Sequence, residues 1–435
     1  MERATFEQRR RRVMEAIGPD AVAILPAAPE RTRSNDVEYR YRQHSDFYYV
    51  TGFPEPGAVC VLQPGHPSEE YVLFVRPRDR DKETWTGRRA GVEGAVTDYG
   101  ASIAYPIDEL DQRVEKMISE RAHFYCAFDR DEAFGRRAMG WLERAQLMRP
   151  RTGRGPTGLL DVGVLVHELR LHKSADELDR MRRAAAISAE AHVAAMRSVQ
   201  PGCWEYEIEA LIDYTFRRNG AAGPAYPSIV AAGANATILH YTTNDRRMKA
   251  ADLLLIDAGA EYDFYCADVT RTFPVGTRFS GRQKDVYALV LAAQLAAIDA
   301  VRPGARFDEP HQHAVRTLVD GLIALGILKG SADEIREKEL YKPVYMHRTS
   351  HWLGMDVHDV GLYKHGDAAR TLEPGMVLTV EPGLYFGEHL EEVDPAWHGV
   401  GVRIEDDVLV TADGHEVLTA AVPKQIDEIE ALRAG

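Results

Sequence analysis

The chain repeats part of itself, and that repeat limits the fold more than any other feature. Two helix ends, AMRSVQPG at 195–202 and AIDAVRPG at 297–304, superpose on their Pro-Gly pairs. Each is followed by a second helical stretch, Tyr206 to Asn219 in one case and about Pro310 to Leu325 in the other. Each half then carries a strand that ends on glycine with an acid two residues earlier. LLLIDAG ends at Gly259 behind Asp257, and VLTVEPG ends at Gly383 behind Glu381. A further strand brings Asp268 in the first half and Glu405, within VRIEDDVLV, in the second. One supersecondary unit used twice predicts an internal pseudo-two-fold, with the acids converging between the halves.

The first acid pair lies in LLLIDAGAEYDFYCADVTRTF, Leu253 to Phe273. Two alternating apolar runs flank Glu261 to Phe264 and read as antiparallel strands joined by a tight turn. A turn centred on Tyr262 and Asp263 sets Asp257 directly opposite Asp268, their Cβ atoms roughly 5 Å apart on one face. Like charges in that register are destabilising unless one carboxylate is protonated or a cation lies between them. The bland alternative is a solvated hairpin with two surface acids.

Before the repeat, residues 1–165 alternate short apolar runs (Val22 to Leu25, Phe47 to Val50, Val59 to Leu62, Tyr71 to Val75, Phe124 to Phe128) with helical stretches such as Ile107 to Glu120. That pattern predicts a compact α/β domain without a catalytic cluster of its own. RPRTGRGPTG, Arg149 to Gly158, reads as a linker, and residues 166–435 form the second domain. The second domain opens on a capping box, Ser174-Ala-Asp-Glu177. At 435 residues the chain is long enough for two cores. A net charge of −14 argues against nucleic acid, whose phosphates need a basic face. Cys60, Cys126, Cys203 and Cys266 are widely spaced without a CxxC, which fits reduced thiols in the cytoplasm. No run approaches a membrane span. Acids at Glu2, Glu7 and Glu15 break up the Arg9 to Arg12 cluster, so it reads as part of a solvated first helix rather than a transit peptide.

Four carboxylates and one imidazole stand out: Asp257, Asp268, His351, Glu381 and Glu405. In one cleft the four negative charges would force protonation unless cations compensated them, and two divalent ions balance the sum. Oxygen ligands with a single imidazole suit Mn²⁺ first, with Co²⁺ or Zn²⁺ as alternatives. In such a pair two carboxylates bridge, and a hydroxide shared by both ions is the nucleophile. His240, His347 and His358 occur in segments that a metal site would bring together, and roles in binding substrate and stabilising the transition state suit them. Each taken alone would more often be a packed or surface residue. Arg403 shares a strand face with Glu405 and could hold a ligand or a substrate carboxylate.

With these residues assembled, the chain resembles the Xaa-Pro aminopeptidases (aminopeptidase P). These belong to a metallopeptidase family that shares the pita-bread fold with methionine aminopeptidase, prolidase and creatinase. The resemblance rests on ILHY, LLLIDAGAEYDFYCADVTRTFPV, SHWLGMDVHD, VLTVEPGLY and VRIEDD. In the first domain it rests on RSNDVEYRYRQHSDFYYVTGF (Arg33 to Phe53) and WTGRRAG (Trp85 to Gly91), so it covers nearly the whole chain.

The resemblance implies an α/β fold of α+β type, with an N-terminal α/β domain ahead of a curved antiparallel sheet flanked by helices. It implies that Asp257 chelates one metal, that Asp268 and Glu405 bridge both, and that His351 and Glu381 complete the second. Glu381 also shuttles a proton, His358 bonds the substrate near the scissile bond, and His240 helps to hold the tetrahedral centre. His347 and Arg403 border a proline pocket with Tyr226 and Tyr385 as walls. Asp36 and Trp85 reach the site of a neighbouring subunit in a homo-oligomer, dimer or tetramer. GDAAR, before VLTVEPG, stands where relatives can carry more arginine, and this bears on the peptide length preferred. The expected reaction releases the first residue of peptides with proline second. Prolidase, acting on dipeptides alone, is the nearest rival. A metal-free peptide- or histone-binding module of the same fold is the rival from another class, and the complete ligand set argues against it.

Overall fold

The computed structural model describes residues 1–128 and 131–434. Contacts divide the chain into two compact units, Met1–Arg170 and Leu171–Gly435. The first unit is built on six strands: β1 (Ala21–Pro26), β2 (Val59–Leu62), β3 (Tyr71–Val75), β4 (Ile103–Pro106), β5 (His123–Cys126) and β6 (Leu159–Asp161), in the order β4-β3-β2-β1-β5-β6. The β1–β2 and β2–β3 pairs are antiparallel, and the other three are parallel. β1, β2 and β3 are continuous buried runs because both faces of the sheet's middle are covered, while β4, β5 and β6 are partly exposed. On one side Val22, Ile24, Val61 and Phe74 pack with Val114, Trp141 and Leu142 of two flanking helices.

Three expectations for this unit are corrected. The first helix, α1 (Arg3–Ile17), is not simply solvated. Arg9 and Arg10 are buried, with their guanidinium carbons 3.9 and 4.0 Å from the ring centroids of Tyr49 and Tyr71. Phe47 to Val50 is helical, within α2 (Ser45–Thr51), which closes on left-handed Gly52. Periodicity cannot separate a short buried strand from a buried helical turn. Arg149 to Gly158 is no linker. A helix from Glu132 to Thr152 runs through Pro150 into it, and β6 follows at once in the same sheet. Turn composition marks a break, not whether a domain ends there.

The second unit repeats. Helices α3 (Ala175–Ser198) and α4 (Glu205–Arg218) pack together in the first half, and α5 (Gly281–Asp299) and α6 (Glu309–Ala324) in the second. The capping box at Ser174 is present, its N–H donating to Glu177 Oε2 at 2.9 Å. The first half has the sheet β7-β8-β11 (Ile229–Ala232, Leu253–Asp257, Thr270–Pro274), with β9 (Ala260–Tyr262) and β10 (Tyr265–Cys266) extending the hairpin between β8 and β11. The second has β12-β15-β16 (Val377–Val380, Asp406–Val410, His415–Val417) and the pair β13–β14 (Gly383–Phe386, Val400–Arg403). This is the expected pseudo-two-fold with its antiparallel strands.

The hairpin register differs from the sequence reading. Tyr262 pairs with Tyr265 and Asp257 with Thr270, so the turn centres on Asp263 and Phe264. Their φ values are 47° and 71°, the double left-handed geometry that suits a two-residue hairpin turn. Asp263 also accepts from Arg180 Nε at 2.5 Å. The shift is two residues along the partner strand, which preserves the face. Asp257 and Asp268 are therefore diagonal neighbours on one face rather than directly opposite.

Hydrogen bonds join the two halves. Thr272 Oγ1 donates to Arg403 O and accepts from its N–H, at 3.0 and 3.2 Å. Glu405 N–H donates to Thr270 O at 3.1 Å. Behind them Arg271, fully buried, donates to Glu405 O at 2.5 Å and to Asp406 Oδ1 at 2.8 Å.

Candidate metal centre

The five expected ligands line one cleft of about 680 Å³ in the second unit. Asp257 ends β8, and Asp268 lies two residues before β11. Between them Gly259 cannot be replaced without moving the chain, since a Cβ there would stand 1.7 Å from Ala267 O. The backbone N–H of Asp268 donates to both carboxylate oxygens of Asp407 at 3.2 and 3.3 Å. Glu405 accepts from Thr270 Oγ1 at 2.6 Å. Donor atoms of Asp268, His351 and Glu405 all lie within 4.8 Å of one another. Glu381 Oε1 is 3.7 Å from His351 Nε2, and Asp257 is joined to Asp268 through Tyr226.

His351 Nδ1 lies 3.0 Å from Trp352 O. With Nδ1 donating to that carbonyl, a neutral ring turns the Nε2 lone pair toward the acids, as a metal-ligating imidazole requires. Nε2 is 3.4 Å from Asp268 Oδ2.

The electrostatics call for added positive charge. Burial pushes Glu405 well above the usual carboxylate range, and Asp268, Glu381 and Asp257 push it further. Burial also carries Glu381 up to about 8, against the pull of His351 and Arg403. Asp257 is raised by burial even though Arg403 Nη2 touches Oδ2 at 2.6 Å. Burial alone would lower the His351 imidazole, but Asp268 and Glu381 raise it to about 9. Asp268 alone is held low, burial being outweighed by the His351 hydrogen bond and charge. The Tyr226 hydroxyl lies 2.6 Å from Asp257 Oδ1 and 2.5 Å from Asp268 Oδ1. A phenol has one proton, so one of these contacts has no hydrogen unless an acid is protonated, and a cation nearby would offset the repulsion that remains. The donor set of carboxylate oxygens and one imidazole fits hard to borderline divalent ions.

The other candidates fall into three groups. His240, His347, His358, Tyr226 and Arg403 line the same cleft, and the His358 and His351 rings are 4.3 Å apart. Tyr385 does not line it. It is buried, accepting from Arg403 Nη1 at 3.0 Å and bonded to His347 Nε2 at 2.9 Å. His347 Nδ1 is bonded to Arg348 O at 2.8 Å, so both ring nitrogens are engaged. Burial, then Arg403, lowers its pKa to about 3 and keeps the ring neutral. The expectation of a Tyr385 wall is thus replaced by a relay from Arg403 through Tyr385 to His347. Asp36 and Trp85 belong to the first unit and are exposed, Trp85 at 88% on the short helix Arg80–Thr86.

Sequence reasoning did not anticipate Thr270, Asp407 or the bridging hydroxyl of Tyr226. Asp407 could have been found, because it shares a strand face with Glu405. No spacing signal marks Tyr226, whose two partners are 31 and 42 residues away.

Acids and one imidazole converging from two repeated halves define a metallohydrolase. The chain belongs to metallopeptidase family M24, whose model matches residues 179–412, and a model for the aminopeptidase P N-terminal domain matches residues 6–125. The second unit is accordingly the pita-bread catalytic domain. The chain is 44% identical to an Xaa-Pro aminopeptidase of Escherichia coli (strain K12) over 431 residues, 99% of this chain and 97% of that one. The structure of Pseudomonas aeruginosa aminopeptidase PepP matches with a TM-score of 0.97 at 50% identity, covering 100% of this chain and 98% of that one. Aminopeptidase P from E. coli with the inhibitor Pro-Leu matches at 0.95 and 43%, with coverage of 100% and 98%.

Proposed function

We propose that this protein is a metal-dependent Xaa-Pro aminopeptidase, releasing the N-terminal residue of peptides with proline in second position. The convergence of Asp257, Asp268, His351, Glu381 and Glu405 in one cleft carries the reading, supported by likeness to Xaa-Pro aminopeptidases along nearly the full chain. Asp257 would hold one ion, Asp268 and Glu405 both, and His351 and Glu381 the second. Two divalent ions there, Mn²⁺ by preference, supply Lewis acidity and lower the pKa of water.

The remaining steps belong to the chain's own residues. Glu381 takes the proton of the attacking water and returns it to the proline nitrogen. That nitrogen has no hydrogen in the peptide and must gain one to leave as a secondary amine. His358 and His240 donate to oxygens of the substrate where charge develops. Ile229, Leu239 and Val357 give the cleft apolar walls for a side chain and a pyrrolidine ring, while Arg403 and the neutral His347 fix its polar border.

With Mn²⁺ present, an Xaa-Pro-Xaa tripeptide should yield its first amino acid. Cleavage of Xaa-Pro dipeptides alone would establish a prolidase instead, and no turnover with any divalent ion would remove the peptidase reading. The protein is further read as cytoplasmic, from its widely spaced free thiols. Among the described residues no helix is long and apolar enough to cross a membrane. It is also read as a homo-oligomer in which exposed Asp36 and Trp85 serve a neighbouring subunit's cleft. A monomer in sedimentation would end that part of the proposal.

A further inference from the structure

Beside the catalytic cleft lies a second cavity of about 410 Å³. The two share Arg348, Ser350 and Tyr363, so they meet along one wall. The smaller cavity has an aromatic floor, where Phe307 and Tyr363 have ring centroids 4.8 Å apart. Its far side is the hairpin bearing Lys364.

The charges around it are unevenly committed. Among the described residues, neither the Arg348 guanidinium nor the Lys364 ammonium has a hydrogen-bond or ion-pair partner. Of the two acids at the cavity, Asp308 is held by Arg306 through two contacts of 2.9 Å and by Gln312 at 2.9 Å. Among the described residues lining the cavity, Asp367, in the turn of the Lys364 hairpin, remains to oppose the two cations, while Glu339, paired with Lys342, feels the Arg348 charge from outside the cavity. His311 is bonded to Thr349 Oγ1 at 2.8 Å. On the shared wall Ser350 is 8% exposed, and its Oγ has no hydrogen-bond partner among the described residues. A buried hydroxyl in that state is a donor which a ligand oxygen, met by a change of rotamer, would satisfy.

We propose that this cavity is a carboxylate subsite for the part of the peptide beyond proline, with Arg348 and Lys364 as its cations and Ser350 as a neutral donor. The proposal rests on the Xaa-Pro peptidase reading, since it needs a chain anchored by its amino end in the cleft. An extended chain advances about 3.3–3.6 Å per residue, so one or two residues after proline can carry a carboxylate across the shared wall. Guanidinium and ammonium groups recognise such an anion by charge-assisted hydrogen bonds. The carboxylate can be the C-terminus of a short peptide or an acidic side chain of a longer one.

The test compares three peptides: Ala-Pro-Ala-Ala as the free acid, the same peptide as its C-terminal amide, and Ala-Pro-Glu-Ala amide. The intact protein should favour a carboxylate-bearing peptide over the plain amide by about three- to tenfold in kcat/KM, expressed in KM. Preference for the free acid alone identifies the C-terminus, and preference for the glutamate peptide identifies a side chain. Arg348→Ala and Lys364→Ala should each shrink the ratio, Lys364→Arg should retain it, and Lys364→Glu should invert it. Lys364 is exposed on a surface hairpin, so its variants test the charge without risk to folding. A wild-type ratio near one for both carboxylate peptides would overturn the subsite alone, as would a ratio that survives in the Arg348→Ala/Lys364→Ala double variant. Failure to cleave any of the three would overturn the peptidase reading and the subsite with it.

Discussion

Asp268 has three partners in the cleft at once: the Tyr226 hydroxyl, the His351 imidazole and, through its own backbone N–H, Asp407. These contacts hold its carboxylate in place, in keeping with the bridging role proposed for it. Asp268→Asn is expected to lose at least one ion and about a hundredfold or more in turnover while the chain remains folded. Elemental analysis beside a circular dichroism spectrum decides this, and two ions retained would contradict the bridging role. His358 is different, because its ring abuts His351 while, among the described residues, no acid stands within ion-pair distance of it. His358→Ala should cost about 10²–10³ in kcat with metal content intact, the scale of losing one donor to a developing oxyanion. Ion loss in that variant would mean that His358 is itself a ligand. Asp257 and Glu381 were legible in the sequence because an acid two residues before a glycine recurs in both halves, and Asp268 and Glu405 because each follows on the next strand. The hydroxyl linking Asp257 to Asp268 was not, since only the fold brings Tyr226 to them.

The hairpin of β8 to β11 shows what pattern can and cannot specify. Alternation predicted two antiparallel strands and the face that both acids share. It did not locate the turn, because Asp263 and Phe264 lack the Asn-Gly signature that marks left-handed positions, and the Arg180 contact that supports them is long-range. The helix start at Ser174 was legible because the capping box is local chemistry. Phe47 to Val50 was misread because burial on every side erases the period. A sharper constraint lies at Gly259, whose φ is ordinary but whose Cα approaches Ala267 O too closely for a side chain. Gly259→Ala is expected to destabilise the second unit by about 3 kcal/mol or more, in the manner of severe overpacking. Urea unfolding measures it, and a wild-type midpoint would show that the strands can part at no cost.

Taken whole, the molecule should lose stability in acid for reasons unconnected with metal. In the first unit Asp46, nearly fully buried, lies 2.6 Å from Arg170 Nη1 and 3.0 Å from His167 Nε2. Burial would raise its carboxyl, but Arg170 and His167 prevail and hold it well below the usual range. A depressed carboxylate stabilises the fold above its unfolded pKa of about 4, and that contribution is lost as pH falls from there through the folded value. Asp46→Asn removes the charge facing a buried guanidinium, so it should cost about 3 kcal/mol near neutral pH. The gap to wild type should narrow progressively as pH falls below about 4. A pH-independent gap in urea melts would mean that packing, not charge, is what the substitution removes.

The seam between the repeats has a consequence of its own. Asp257 and Asp268 come from one side of it, and His351, Glu381 and Glu405 come from the other. Ions gripped from both sides would act as rivets, so that neither repeat could open without first stripping coordination from its twin. Resistance to proteases would then be set by the rate of ion escape, and a chelator would shorten the protein's lifetime before it changed its shape.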